Sequence, residues 1–246
     1  MMDAAPKSSL AESFSRYFNV GLAESDAQKE YVFQIRYRVY CEEFKYESVD
    51  RFANRLEVDD YDQYSRHCLI THLQTGMPAG CVRLVPAIGD REVDPLPLER
   101  YCGVSLDNKF IDNLKLQRNT VCEISRLAVD GAFRRRTGEA LTRFGEINGL
   151  QFSPQEQRTF SSIAVACFFA ATVLTEADGR TNVFAMMEPF LPRLMHRSGI
   201  DFQRVGKDID YHGIRAPYFI TTQAVLENLH PDLQELYSWI KENIVN

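Results

Sequence analysis

The run Val121-Cys122-Glu123-Ile124-Ser125-Arg126-Leu127-Ala128-Val129 places two ionisable residues inside a stretch otherwise composed like a buried strand. Burial disfavours the charged form of a side chain, so two such residues in this strand are hard to explain by stability. Strict alternation along the strand puts Glu123 and Ser125 on one face and Arg126 on the other. For all three to serve one site, a β-bulge near Ser125 is required, and such a bulge also frees a backbone N–H to act as an oxyanion donor. The competing reading is a buried Glu123–Arg126 pair with no chemical role.

Three further groups of charges stand out. Leu56-Glu57-Val58-Asp59-Asp60-Tyr61-Asp62 gathers carboxylates whose mutual repulsion must be balanced by water, a cation or a bound ammonium group, unless the segment is a solvated loop. It lacks the D-x-[DN]-x-[DN]-G spacing of a calcium loop, so no metal site is expected. Arg83 sits within the apolar run Gly80-Cys81-Val82-Arg83-Leu84-Val85 and has to find a carboxylate or a ligand anion there. Arg134-Arg135-Arg136-Thr137-Gly138-Glu139-Ala140 follows the Glu123 strand and offers cations, small residues and free N–H groups at a helix start. That is a phosphate-binding arrangement, or else a solvated basic turn.

The elements that must position these groups are legible from periodicity. Ser9-Leu10-Ala11-Glu12 and Ser25-Asp26-Ala27-Gln28 read as capping boxes. The first opens a helix carrying Leu10, Phe14, Tyr17 and Phe18, within an N-terminal helical extension over 1–24. The second opens a helix from Ala27 to Phe44 with Arg36, Tyr40 and Glu43 on one flank. Strands are expected at His67–Gln74, Ala79–Val85, Thr120–Val129 and Asn182–Met187, with Thr75-Gly76-Met77-Pro78 turning between the first two. Residues Pro86 to Asn119 form an irregular excursion with a short helix. Further helices are expected from near Arg136 to Gly149, over Thr159–Ala177, and over Pro189–Ser198 with Gly199 as a left-handed cap. Asp201–Val205 and Tyr211–Thr221 form a closing pair of strands. A helix over Pro231 to Asn243 lies in the C-terminal tail, 222–246. This order indicates one domain over 1–246, an α/β (α+β) layer fold with a mixed, mostly antiparallel sheet flanked by helices.

Bulk properties narrow the function classes. The 246 residues are 45% hydrophobic and 25% charged, enough for one substantial core. A formal charge of −6 and a pI near 5.5 give no support for nucleic-acid binding. The six cysteines are scattered with no C-x-x-C pair, so neither disulfides nor zinc is expected and a reducing cytoplasm fits. His67 and His72 lie five apart along a strand, on opposite faces, and cannot share a metal. No signal peptide is visible, and the uncharged run Thr159 to Thr175 reads as a buried helix rather than a membrane span.

Together these motifs resemble the GNAT superfamily, in which R/Q-x-x-G-x-G/A follows the fourth strand and holds a pantetheine pyrophosphate or phosphate. More narrowly they resemble the acyl-homoserine-lactone (autoinducer) synthases and the N-acyl amino acid synthases. Those families show a helical Arg, E-x-D-x-x-D, an Arg after a second strand, and E-x-S-R. Here these correspond to Arg36; Glu57, Asp59 and Asp62; Arg83; and Glu123, Ser125 and Arg126. Near the whole length, the chain resembles the bacterial acyltransferases associated with the PEP-CTERM/exosortase system. That likeness rests on Ile35-Arg36-Tyr37-Arg38-Val39-Tyr40-Cys41-Glu42-Glu43, Ala185-Met186-Met187-Glu188-Pro189 and Tyr211-His212-Gly213-Ile214-Arg215-Ala216-Pro217-Tyr218-Phe219.

The resemblance implies a GNAT-like fold and transfer of a fatty acyl group from acyl carrier protein, or acyl-CoA, to the amine of an amino acid or similar small molecule. Glu123 is then the base, directly or through one water, with Ser125 and Arg126 beside it. Arg83 and Arg126 hold the acceptor's carboxylate or tune Glu123. Asp59 and Asp62 attract its ammonium or order a flap with Arg36, and Glu57 belongs to the same acidic segment. Arg134, Arg135, Arg136, Gly138 and Ala140 meet phosphopantetheine, and the three arginines also suit an acidic carrier protein. No permanently bound cofactor is implied. Phe160, Ile163, Phe168 and Phe169 either line an acyl tunnel or are ordinary core. Two alternatives stay open: lactone autoinducer synthesis from S-adenosylmethionine, and a silent acyl-thioester sensor of an export system. Autoinducer synthases carry a Trp ten residues after the helical Arg, where this chain has Tyr46, which argues against S-adenosylmethionine recognition.

Overall fold

The computed structural model describes residues 8–134, 152–196 and 198–245. Its centre is an eight-stranded sheet of β1 (Phe18–Leu22), β2 (Arg66–His72), β3 (Pro78–Pro86), β4 (Val121–Val129), β5 (Asn182–Met187), β6 (Gln203–Arg204), β7 (Ile209–Asp210) and β8 (Ile214–Thr221). The order is β1-β2-β3-β4-β5-β8-β6, with β7 also on β8. Every pairing is antiparallel except β4 with β5. This is the mixed, mostly antiparallel α/β arrangement that the element order predicts.

Alternation along the strands divides the core. Cys68, Ile70, Val82, Leu84 and Cys122 point toward the helices Ser162–Ala177, Pro231–Val245 and Leu10–Ser15. Leu69, Cys81 and Ala128 point the other way, toward the helix Asp26–Arg36. On that second face, farther along the sheet, the excursion drapes Leu96, Leu98 and Leu106 over Val85, Val121, Phe184 and Phe219. The Ser162–Ala177 helix is buried over most of its circumference, as its uncharged composition predicts, because it fills the space between the sheet and the C-terminal helix. Phe160, Ile163 and Phe169 are core residues, with Phe168 packed against them at the margin. No helix among the described residues is long and apolar enough to cross a membrane.

Both capping boxes form, at Ser9 with Glu12 and at Ser25 with Gln28. The first helix nevertheless stops at Ser15, and Phe18–Leu22 is the edge strand β1, so the 1–24 extension is only partly helical. Phe18 satisfies helical spacing, and its ring does stack on Phe14 at 5.0 Å between centres. The strand arises instead from pairing with β2, Phe18 opposite His72 through Leu22 opposite Cys68. The second helix is α-helical only to Arg36 and continues as a π-helix over Tyr37–Glu43. The expected pair near the C-terminus is three strands, with β6 and β7 each antiparallel to β8, and an additional helix, Thr222–Asn228, precedes the last one.

Two features of the sheet build the site. The β3–β4 register shifts by one residue between the pairs Cys81–Ala128 and Arg83–Ser125. The β4–β5 ladder joins Val121–Asn182, Cys122–Val183 and Glu123–Phe184 and ends there, although both strands run on. From Ile124 onward, the two strands part on the C-terminal side of Glu123.

Candidate active site

The register shift is the bulge that the charged strand demands. Arg126 occupies the left-handed region at φ 52°, an uncommon position for a non-glycine residue. Without the extra residue, Arg126 would face the Ser162–Ala177 helix and Ala128 would follow it. With the bulge, Ala128 lies on the Asp26–Arg36 side and Val129 on the opposite one. Arg126 is swung to the face of Glu123 and Ser125. The hydroxyl of Tyr40 donates to the Leu127 carbonyl at 2.8 Å, bracing the bulge from the π-helix, and the Arg126 guanidinium lies 5.6 Å from the Tyr40 ring centre.

The acidic segment is consumed by protein cations rather than left open to a ligand. Arg36, fully buried, bonds Glu57 through Nε and grips Asp62 bidentately at 2.7 and 2.9 Å. Arg83 Nη1 donates to Asp59 at 2.6 Å and to Asp62 at 2.8 Å, while its Nε reaches the Ser125 hydroxyl at 3.2 Å. Arg126 completes the set on Glu57 at 3.0 Å and Asp59 at 3.3 Å. Three guanidiniums thus neutralise three carboxylates. Burial pushes the Glu57 carboxyl up, but Arg36 and Arg126 outweigh it and hold the group at about 2. Asp62 is driven below the usual carboxylate range in the same way, chiefly by Arg36 against its own burial. Neither acid is available as a base, and the network instead fixes the loop, the helix end and the bulge to one another. Asp59 and Asp62 thus have their oxygens engaged by Arg36, Arg83 and Arg126.

Glu123 is the exception. It is 3% exposed, lies beside this network, and forms no salt bridge among the described residues. The buried Glu123–Arg126 pair is thereby excluded. One oxygen accepts from the Leu98 N–H at 2.7 Å, a donor left unpaired by its place in the first turn of the helix Pro97–Cys102. Burial dominates, and the carboxyl is pushed up to about 7. A pocket of about 50 Å³ opens beside it, lined also by Ser125, Arg126, Tyr40, Tyr46, Glu47, Leu98, Met186, Tyr211, His212 and Arg215. That volume holds roughly one or two waters.

The sequence singles out neither Leu98 nor Arg215 as a site residue. Leu98 acts through its backbone, which carries no compositional signal. Arg215 is the sole charge within an apolar strand, the same signal that marks Arg83. Of the basic turn, Arg134 is described: it donates to the Val129 carbonyl at 2.7 Å, pairs with Glu43, and stacks 5.1 Å from the Phe44 ring centre. Arg135, Arg136, Gly138 and Ala140 lie outside the described residues.

Residues 35–143 match the acetyltransferase (GNAT) domain family, a span that includes each charged group of the network and Glu123. That match spans less than half of the 246 residues, and several solved structures are similar in fold. TofI, in a ternary complex with an inhibitor and MTA, superposes with a TM-score of 0.59 at 19% identity, over 88% of this chain and 98% of that one. MesI, a CoA-dependent acyl-homoserine lactone synthase, gives 0.54 at 16% identity, over 91% and 95%. FeeM, an N-acyl amino acid synthase from uncultured soil microbes, gives 0.55 at 11% identity, over 86% and 94%. No curated protein matches by sequence.

Proposed function

We propose that this chain transfers a fatty acyl group from a carrier thioester to the amine of an amino acid or similar small molecule. The observation that carries the reading is Glu123. It is a buried carboxylate without a counterion, titrating near neutrality, at the edge of a pocket where two sheet strands diverge. The incoming amine attacks the thioester carbonyl while Glu123, directly or through one water in the pocket, takes its proton. The tetrahedral intermediate then collapses, the C–S bond breaks, and the thiol leaves with a proton returned to it. Thioesters are electrophilic enough that placement of a neutral amine and stabilisation of the oxyanion are the main demands. The bulge at Arg126 and the strand divergence are where a backbone donor for that oxyanion would lie.

The finer assignments rest on sequence resemblance. These are acyl carrier protein as donor, with acyl-CoA as the alternative; a cytoplasmic setting; and association with a PEP-CTERM/exosortase system. Lactone synthesis from S-adenosylmethionine is the second reading, favoured by the similarity to MesI and opposed by Tyr46 in place of the Trp. Glu123→Gln is isosteric and uncharged. It should retain the fold while amide formation from acyl-carrier or acyl-CoA thioesters slows by about a hundred-fold or more. Wild-type turnover in that variant would remove Glu123 from the role of base, and a lactone product would shift the assignment to autoinducer synthesis.

A further inference from the structure

Among the described residues, three guanidiniums reach the polar face of the sheet and are matched by three carboxylates, while a fourth guanidinium on that face is not matched. Arg215 lies near the start of β8, and strand parity fixes its side. Glu123 pairs with Phe184, Phe184 with Phe219, and Met186 with Pro217. Paired residues share a face, and so do residues two apart on one strand, so Glu123, Phe219, Pro217 and Arg215 all face the same way. Arg215 accordingly lines the pocket of Glu123.

No carboxylate or other hydrogen-bond acceptor among the described residues meets Arg215, and its Nε is buried without a partner. Its guanidinium rests 5.2 Å from the ring centre of Tyr46, which is itself stacked on Phe44 with ring centres 5.3 Å apart. An aromatic shelf orients a guanidinium and shields it from water but satisfies none of its in-plane N–H groups. Leaving such a donor unpaired in a half-buried site is costly for folding, and a planar anion gripped by the guanidinium fork removes that cost. Arg83 also keeps Nη2 buried without a partner, but its Nε and Nη1 are taken by Ser125, Asp59 and Asp62, and Arg126 is taken by Glu57 and Asp59, whereas none of the nitrogens of Arg215 meets an acceptor among the described residues.

We infer that Arg215 is the docking point for the carboxylate of the acceptor, so that the acceptor is an α-amino acid held by its carboxylate while its amine faces Glu123. This builds on the transferase reading above and moves the carboxylate-binding role from Arg83 and Arg126 to Arg215.

The test compares acylation of the proteinogenic amino acids with acylation of their carboxamides, using medium- and long-chain acyl-coenzyme A and acyl carrier protein thioesters. Wild type is expected to favour the free acids by about ten-fold or more in kcat/KM, the difference a charge-assisted hydrogen bond makes. Arg215→Met should raise KM for the acids, collapse the acid-to-amide ratio toward one, and leave KM for the thioester unmoved. Arg215→Lys should restore part of the ratio. Equal wild-type rates on acid and amide overturn the inference, as does a rise in thioester KM with the ratio intact, which would assign Arg215 to a donor phosphate. If wild type acylates no member of either panel, the transferase reading is what fails. Binding of the same amino acids, followed by ligand-observed NMR, then decides Arg215 separately: binding lost in Arg215→Met supports it, and absence of binding to wild type overturns it. Thermal melts identify a variant that has not folded, and Arg215→Gln, uncharged but still polar, then takes the place of Arg215→Met.

Discussion

The Glu123 carboxylate accepts a 2.7 Å hydrogen bond from the Leu98 N–H, its one side-chain hydrogen bond among the described residues. A few ångströms of sequence-distant packing separate its fate from that of Glu57 and Asp62. Those acids are buried too, but each faces guanidiniums and is held ionised. One amide dipole partly offsets the burial of Glu123, and the group stays near neutrality.

The first prediction concerns pH. With the Glu123 carboxyl at about 7, kcat/KM should rise with unit slope below pH 7 and level above it, apart from titration of the free amine itself. The stability effect has the opposite sense. The folded state holds this proton more tightly than the unfolded chain, whose carboxyl titrates near 4.5. Stability is therefore lost as pH climbs from 4.5 through 7, by up to roughly 3 kcal/mol. Urea denaturation at pH 5 and pH 8 should show this loss in wild type and a smaller one in Glu123→Gln. Identical losses in the two proteins would count against it.

The second concerns the three-by-three network. Arg36→Met strands Glu57 and Asp62 in the interior with Arg83 and Arg126 as their remaining cations. Removing one member of a buried ion pair costs about 3–5 kcal/mol, and the urea midpoint should fall accordingly. A shift below about 1 kcal/mol would mean that water enters and relieves the exposed acids.

Tyr40→Phe tests the brace on the bulge. Loss of the hydroxyl bond to the Leu127 carbonyl should cost about 1 kcal/mol of stability. If the brace positions Arg126 and the strand beneath it, kcat should drop while KM for the acyl donor holds. An unchanged kcat would show that the bulge is held by the ion network alone.

Two glycines make a backbone control. A Cβ at Gly199 would sit 2.0 Å from the Asn228 carbonyl oxygen, at φ 81°, whereas one at Gly21 meets nothing within 4 Å. Gly199→Ala should destabilise by about 2 kcal/mol or more, and Gly21→Ala by no more than about 0.5 kcal/mol. Comparable thermal melts for the two would contradict the placement of the Phe190–His196 helix against residue 228.

Local patterning carried much of the architecture. Both capping boxes, the strands at β2 to β5 and the buried helix Ser162–Ala177 follow from side-chain period and end signals, which depend on near neighbours alone. The demand for a bulge was legible as well, since two charges on opposite faces of one strand cannot meet unless the alternation breaks between Ser125 and Arg126. The π-turn after Arg36 and the strand at Phe18–Leu22 left no such trace. The geometry of the strand answers to β2, dozens of residues away in sequence.

Which charges are spent and which remain available was likewise a matter of tertiary structure. The sequence by itself determined that acids and arginines must share a buried space, because neither tolerates burial alone. Pairing is a property of distance, however, and only the folded sheet brings Arg36, Arg83 and Arg126 onto Glu57, Asp59 and Asp62. The same folding leaves Glu123 with a single amide and Arg215 with an aromatic ring.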